Sequence, residues 1–417
     1  MTTTVAISPH EVLVGLAAIA GADHAWPVDN LVRVAPANAE GIAQVLRFAQ
    51  ANGLSVVPTG SGSKLNWGNP VSADVELSLE RLSTLREHAW EDLTCTVQAG
   101  CSWATMQNEL VRHGQMVALD PLWSDRATVG GVVATNDSGT LRLRYGGLRD
   151  LIIGMTLVLA DGAIAKTGGK VVKNVAGYDL HKLLTGSFGT LAVITEVNFR
   201  LHPIEQHTRT FTVTVPDVAL LDRPLADLSH SQMTPSGIQL RLGQGVARLD
   251  VRISTRPECF DEHIARLRQV FNPLALAETD ESAWQTRQQL FASAGGAVLK
   301  ASMMPSDICS VAAELQQISA DAGINLALVV QACGLATISL TSALGSDADA
   351  LIALINHLRA RLRTSGGSAV LLRAPDVLRG RIDPWDCQSD ALPLMREIKR
   401  RFDPKRVLSP GRFVGGI

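Results

Sequence analysis

The feature that most constrains the fold is Pro58-Thr59-Gly60-Ser61-Gly62-Ser63-Lys64, a run of small and hydroxylated residues directly after a β-α-β pattern. Upstream, Leu31 to Ala35 reads as a strand and Ala39 to Asn52 as a helix with Ile42, Val45, Leu46 and Phe48 on its apolar face. Leu54 to Val57 then reads as a second strand. Such a loop lets backbone N–H groups converge on an anion with no Cβ in the way, and Thr59, Ser61 and Ser63 add hydroxyl donors. A pyrophosphate needs these groups, although a plain surface turn has the same composition. The run fits neither G-x-G-x-x-G nor G-x-x-x-x-G-K-S/T, so the common nucleotide fingerprints are absent.

A second glycine-rich segment, Ala127 to Gly139, joins the pair Gly130-Gly131 to an apolar stretch, Val132 to Ala134, that reads as helix or strand. Its glycines would let backbone approach a flat ligand. Arg144-Tyr145-Gly146 follows, and Arg144 reads either as surface charge or as a partner for phosphate or carboxylate. In a third segment, Lys173-Asn174-Val175-Ala176-Gly177-Tyr178-Asp179-Leu180 precedes a short helix ending at Gly186 and a buried strand, Leu191 to Ile194. Tyr178, one of two tyrosines, is expected to bury its hydroxyl against a backbone partner.

The α/β alternation continues through strands Val75 to Leu79 and Thr94 to Gln98 and a helix over Ser102 to His113. After Pro203 the order changes. Strand Phe211 to Val215, helix Val218 to Leu228, strands Ile238 to Leu242 and Ala247 to Ile253, and helix Phe260 to Phe271 form one pass. The second is strand Val298 to Met303, helix Ile308 to Ala320, strands Leu326 to Gln331 and Ala336 to Leu340, helix Ala348 to Leu362 and strand Ala369 to Arg373. Two tandem ferredoxin-like β-α-β-β-α units predict one antiparallel sheet with helices on one face. The fold class is α+β, with residues 1–205 as one domain, 206–384 as a cap and 385–417 as a C-terminal segment.

A net charge of −2 without a basic run argues against nucleic acid as a partner. The six cysteines are scattered with no metal-ligand spacing, so no metal site is expected and any iron–sulfur relay belongs to another chain. The apolar stretch Val12 to Ala20 is too short to span a bilayer and has no preceding positive run. It reads as an amphipathic helix, with no integral membrane segment, in a cytoplasmic protein.

In this order, the three segments resemble the vanillyl-alcohol-oxidase, or PCMH-type, FAD-binding family. The resemblance runs from Leu31 to Pro203 and resumes at Phe402-Asp403-Pro404-Lys405-Arg406-Val407-Leu408-Ser409-Pro410-Gly411-Arg412-Phe413. It implies FAD as cofactor, its pyrophosphate on Pro58, Thr59, Gly60, Ser61, Gly62, Ser63 and Lys64. Thr128, Gly130, Gly131, Ala134, Thr135, Ser138 and Gly139 would lie along the flavin side, and the strand near Ile194 would meet the adenine. The C-terminal segment would return to the first domain's site, where Ser409 would face the isoalloxazine, and Pro121, Tyr145 and Gly189 would complete the cofactor-binding set. With no histidine or cysteine in the first loop, the FAD is expected to be non-covalent.

Within that family, Lys-Asn-Val-Ala-Gly-Tyr-Asp-Leu, the short cap, Ser365 to Pro375 and Asp383-Pro384-Trp385 are similar to FAD-binding subunits of glycolate oxidase-type complexes. The similarity implies partners, a catalytic flavoprotein and an iron–sulfur subunit, with peripheral membrane attachment through them and a small 2-hydroxy acid as substrate. Related D-2-hydroxyacid dehydrogenases carry a late His-x-Gly-Asp-Gly-x-x-His motif, whereas no histidine follows His357. His113, His181 and His202 are isolated and read as surface or core residues. Ser409 stands where many relatives have asparagine. Arg373 and Arg144 are the candidates for a substrate carboxylate, and Arg379 reads as surface charge. An autonomous dehydrogenase and a non-catalytic assembly subunit remain the alternatives.

Overall fold

The computed structural model describes residues 7–170, 177–293, 295–342, 348–386 and 390–417. Two units emerge. The first comprises Met1–Ser138, Gly147–Ile204 and Cys387–Ile417, and the second Gly139–Gly146 with Glu205–Asp386.

The first unit contains a four-stranded sheet in the order Ala25–Val28, Leu31–Val34, Val75–Ser78, Val56–Thr59. Only the first pair is antiparallel. The helix Ala39–Ala51 forms where Asn38 caps it, accepting from the Gly41 N–H at 2.9 Å. Ile42, Ala43, Val45, Leu46 and Ala49 recur at helical spacing and are buried. Val56–Thr59 is an edge strand, yet its outer side is used. Val56 N–H donates to the Val407 carbonyl at 2.7 Å and Ser409 N–H to the Val56 carbonyl at 2.8 Å, so the C-terminal tail extends the sheet.

A second, antiparallel sheet in this unit has the order Leu85–Ala89, Thr94–Gln98, Val193–Arg200, Ile152–Val158, Ile164–Gly168. One apolar core, from Val12 to Leu408, serves both sheets. The glycine-paired segment resolves as a helix, Val129–Thr135, capped by Thr128 and stopped by Asn136 in the left-handed region at φ +47°.

The second unit is built on one eight-stranded antiparallel sheet: Leu276–Thr279, Thr208–Val215, Val246–Ser254, Gly237–Gly243, Ile324–Gln331, Leu335–Ser342, Ala297–Ser302, Ser368–Arg373. In chain order each half is β-α-β-β-α-β. The halves meet where Gly237–Gly243 pairs with Ile324–Gln331. The turn between Gly243 and Val246 has Gln244 and Gly245 both at positive φ, +54° and +74°, which suits a two-residue hairpin.

Three expectations change. The first half is closed by an edge strand, Leu276–Thr279, that its short Leu-Ala-Glu-Thr sequence does not reveal. Tyr178 is 90% exposed, so its hydroxyl is not buried. Gly139–Gly146 belongs to the second unit, where Leu143 packs on that unit's core. Lys173 to Ala176 lie outside the described residues.

Candidate functional site

The first unit holds a cavity open to solvent, enclosing about 660 Å³ of empty space with the open solvent at its mouth included. Its walls come from four places in the sequence: Pro58 to Leu65 with Leu79; Thr128, Gly130, Gly131, Ala134 and Thr135; Phe188, Gly189, Ala192 and Ile194; and Arg412.

The loop after strand Val56–Thr59 forms the polar wall. Among the described residues, the backbone N–H groups of Gly60, Ser61, Gly62 and Ser63 donate no hydrogen bond. Gly62 is in the left-handed region at φ +72°, with open space where a side chain would start. Four adjacent donors without a partner among the described residues, at one wall of a cavity, are an anion-binding arrangement. Thr59 is held from behind, its Oγ1 donating to Glu76 Oε1 at 2.8 Å.

The helix Val129–Thr135 supplies the facing wall. The Gly130 N–H donates to the Ala99 carbonyl at 2.7 Å, and a Cβ there would lie 2.9 Å from Ala99 Cβ. Gly130 is therefore required by helix–strand packing, while Gly131 leaves the open side, with only Thr128 Oγ1 near its missing side chain, at 3.2 Å. Gly189, at φ +72°, sits beside both the loop and the tail. Its Cβ position is 3.6 Å from Pro58 Cδ and 3.7 Å from Ser409 Oγ.

Two buried cations border the cavity. Lys64 Nζ donates to the Leu122 carbonyl at 3.1 Å and lies 3.4 Å from Asp137 Oδ2, between the rings of Trp67 and Trp123. Arg412 Nη2 donates to the carbonyls of Lys64 (3.3 Å) and Leu65 (3.1 Å), and its guanidinium sits over Phe188. Burial lowers the Arg412 pKa to about 10, which leaves it charged at neutral pH. No lining residue carries a carboxylate. The open N–H groups, the cations and this lack of negative charge fit a dinucleotide pyrophosphate.

Of the residues singled out in the sequence, Pro58 to Lys64, Thr128, Gly130, Gly131, Ala134, Thr135, Gly189 and Ile194 converge on this cavity. Pro121 and Ser138 are buried outside its lining, next to Leu122 and Asp137, whose N–H to Oδ2 bond (2.8 Å) ties those segments together. Gly139 and Tyr145 lie in the second unit, where Tyr145 Oη donates to Glu205 at 3.1 Å. Ser409 is fully buried behind Gly189, and its Oγ has no hydrogen-bond partner.

The guanidinium candidates have other uses. Arg144 pairs with Glu205 at 3.0 Å. Arg373 donates from Nε to the Gly296 carbonyl, from Nη1 to that of Phe291 and from Nη2 to that of Ser293, so it clamps a loop rather than presenting an open fork. Leu65, Leu79, Phe188 and Ala192 complete the lining unannounced by the sequence, because apolar wall residues look like any core residue. Among the described residues, no group of three or more His, Cys, Asp or Glu is placed to hold a metal, and no helix is long and apolar enough to cross a membrane.

Residues 31–168 match the FAD binding domain family. The glycolate oxidase subunit GlcD of Bacillus subtilis is 32% identical over 207 residues, 49% of this chain and 44% of that protein. The D-lactate dehydrogenase of Archaeoglobus fulgidus is 36% identical over 189 residues, 45% and 42%. The matches thus span less than half of these relatives. Substrate-bound p-cresol methylhydroxylase superposes with a TM-score of 0.74 at 17% identity, covering 97% of this chain and 96% of that one. Alkyldihydroxyacetonephosphate synthase gives 0.69 at 16%, covering 92% and 77%. At such identities the likeness concerns the fold. With the cavity inside the first unit and the family match across its polar wall, the chain carries a PCMH-type FAD-binding domain.

Proposed function

We propose that this chain is the FAD-binding subunit of a glycolate oxidase/dehydrogenase-type complex that oxidises a small 2-hydroxy acid, glycolate to glyoxylate. The observation that carries the cofactor half of this reading is the row of four N–H groups from Gly60 to Ser63, without a partner among the described residues, beside Lys64 and Arg412. FAD held at this site would supply a flavin able to take up the two electrons that the complex removes from the hydroxy acid. The chain's own residues bind and orient it, the loop and the two cations at the phosphates and Gly131 and Gly189 as the close-approach surfaces. Among the described residues, no histidine, cysteine or tyrosine lines the cavity, which supports non-covalent attachment.

Relatives named as a glycolate oxidase subunit and as D-lactate dehydrogenases support the substrate class. Because Arg144 and Arg373 are engaged with Glu205 and with three carbonyls, the reading gives the substrate carboxylate to a partner flavoprotein. Electrons would leave through the flavin to a partner iron–sulfur subunit, since the cysteines here lack cluster spacing. The complex would be cytoplasmic and reach the inner membrane through those partners. The D-lactate dehydrogenase similarity favours a second reading, an autonomous D-2-hydroxyacid dehydrogenase.

The purified chain should show a flavin absorption spectrum and release FAD on mild denaturation; a colourless protein that takes up no added FAD would refute the cofactor assignment. Bleaching by glycolate only after a co-purified flavoprotein is restored supports the complex. Bleaching by glycolate or D-lactate with the chain alone supports the autonomous enzyme.

A further inference from the structure

We propose that Lys399 and Asp403 are positioning residues for the cofactor: this buried pair joins the C-terminal tail and the Ser187–Ala192 turn into one wall of the cavity, so that FAD retention and tail order are coupled. The inference rests on the FAD reading above and concerns residues that do not touch the cavity.

Lys399 lies in the last turn of the helix Leu392–Phe402. Its ammonium has three donors, and each has an acceptor on a different segment: Asp403 Oδ2 at 2.7 Å, the Thr190 carbonyl at 2.7 Å and the Leu408 carbonyl at 2.9 Å. Asp403 is used as fully. Its Oδ1 accepts from the Val407 N–H at 2.9 Å, and its Oδ2 also accepts from the Leu408 N–H at 2.7 Å. Lys399 is 6% exposed and Asp403 not at all.

An ion pair four residues apart on a helix normally faces water. Burying one is costly, and an apolar pair could fill the same space. The contacts show what an apolar pair could not do. Thr190 directly follows Gly189 of the cavity lining, and Leu408 directly precedes Ser409, whose Oγ is 3.7 Å from the Gly189 Cβ position. The same tail bonds to Val56 at the foot of the phosphate loop and, through Arg412, to Lys64 and Leu65. Lys399 thus fixes the spacing between the Gly189 wall and the loop wall. A ligand bridging those walls stabilises the arrangement that the pair selects, and by reciprocity the pair raises affinity for the ligand.

The test uses apo and FAD-loaded full chain. FAD dissociation constants are measured by flavin fluorescence for wild type, Lys399→Met, Lys399→Arg and Asp403→Asn, and amide exchange of Val407 to Arg412 is followed with and without FAD. Lys399→Met is expected to raise the FAD Kd by about tenfold or more and to abolish FAD-dependent protection of the tail, with partial recovery in Lys399→Arg. A folded Lys399→Met protein with wild-type Kd and tail protection overturns the proposal. Should that variant fail to fold, wild type alone decides: tail exchange that does not slow on FAD binding overturns it, and slowing supports it. A wild type that takes up no FAD overturns the FAD reading itself, and this inference with it.

Discussion

Gly60 and Thr128 approach so closely that a Cβ on Gly60 would lie 2.1 Å from Thr128 Oγ1 and 3.0 Å from its Cβ. The threonine is not free to turn away, because its hydroxyl caps the helix Val129–Thr135, accepting from the Gly131 N–H at 3.4 Å. The Pro58 to Lys64 loop and the helix Val129–Thr135 therefore meet where only a hydrogen fits.

Gly60→Ala is expected to weaken FAD binding by about 5- to 150-fold, corresponding to an overpacking strain of about 1–3 kcal/mol. Adding Thr128→Ala removes the clashing oxygen, so the double variant should bind better than the two single losses combined would give. Flavin titration of the four proteins measures this. Unchanged affinity in Gly60→Ala would place the loop away from the cofactor.

Lys64 and Asp137 are almost fully buried, with side chains 3% and 1% exposed. Lys64→Met should remove a cationic partner of the buried carboxylate and cost about 3–5 kcal/mol of stability. Replacing Asp137 by leucine in the same chain should return part of that loss. Urea denaturation of the single and double variants tests the pair.

Ser409 has a buried hydroxyl with no hydrogen-bond partner. Deleting an unsatisfied buried polar group is neutral or favourable, so Ser409→Ala should leave the melting temperature of the apo protein unchanged or raised. If the hydroxyl serves the cofactor, the same variant binds FAD more weakly. Lower apo stability together with unchanged FAD affinity would assign the hydroxyl to the fold instead.

His181 is buried, and that burial lowers its pKa below the ordinary value of 6.5 despite the opposing pull of Asp179. The unfolded chain then binds more protons than the folded one just below pH 6.5, so stability is complete above that pH and is lost as pH falls through the folded pKa. Urea midpoints should drop between pH 7.5 and 5.5. The drop should be smaller in His181→Gln, which has no imidazole to protonate.

How much of this was legible in the sequence depended on the kind of signal. The loop Pro58 to Lys64 and the tandem repeat of the second unit were readable because glycine placement and apolar period report backbone geometry directly. Thr128 to Thr135 could be read as ligand-facing but not as helix, since seven residues of small and β-branched types suit either state. Leu276–Thr279 was hidden, as a four-residue edge strand carries no pattern of its own. Tyr178 misled for a physical reason: a tyrosine beside an apolar helix resembles a core residue, and only its neighbours in space reveal an exposed ring. Arg144 and Arg373 had the right chemistry for a carboxylate, but their actual partners, Glu205 and three carbonyls, lie 61 to 82 residues away or within a loop that sequence does not fold.

The tail that lies beside Val56 also sets a timetable. Arg412 reaches Lys64 over a sequence separation of 348 residues, so the cavity cannot close while the ribosome is still adding the second unit. Contacts of such long range form late. The first unit must wait, part-built, until residues 407–412 emerge, and ligand capture becomes a step that follows synthesis of the second unit rather than one that guides it.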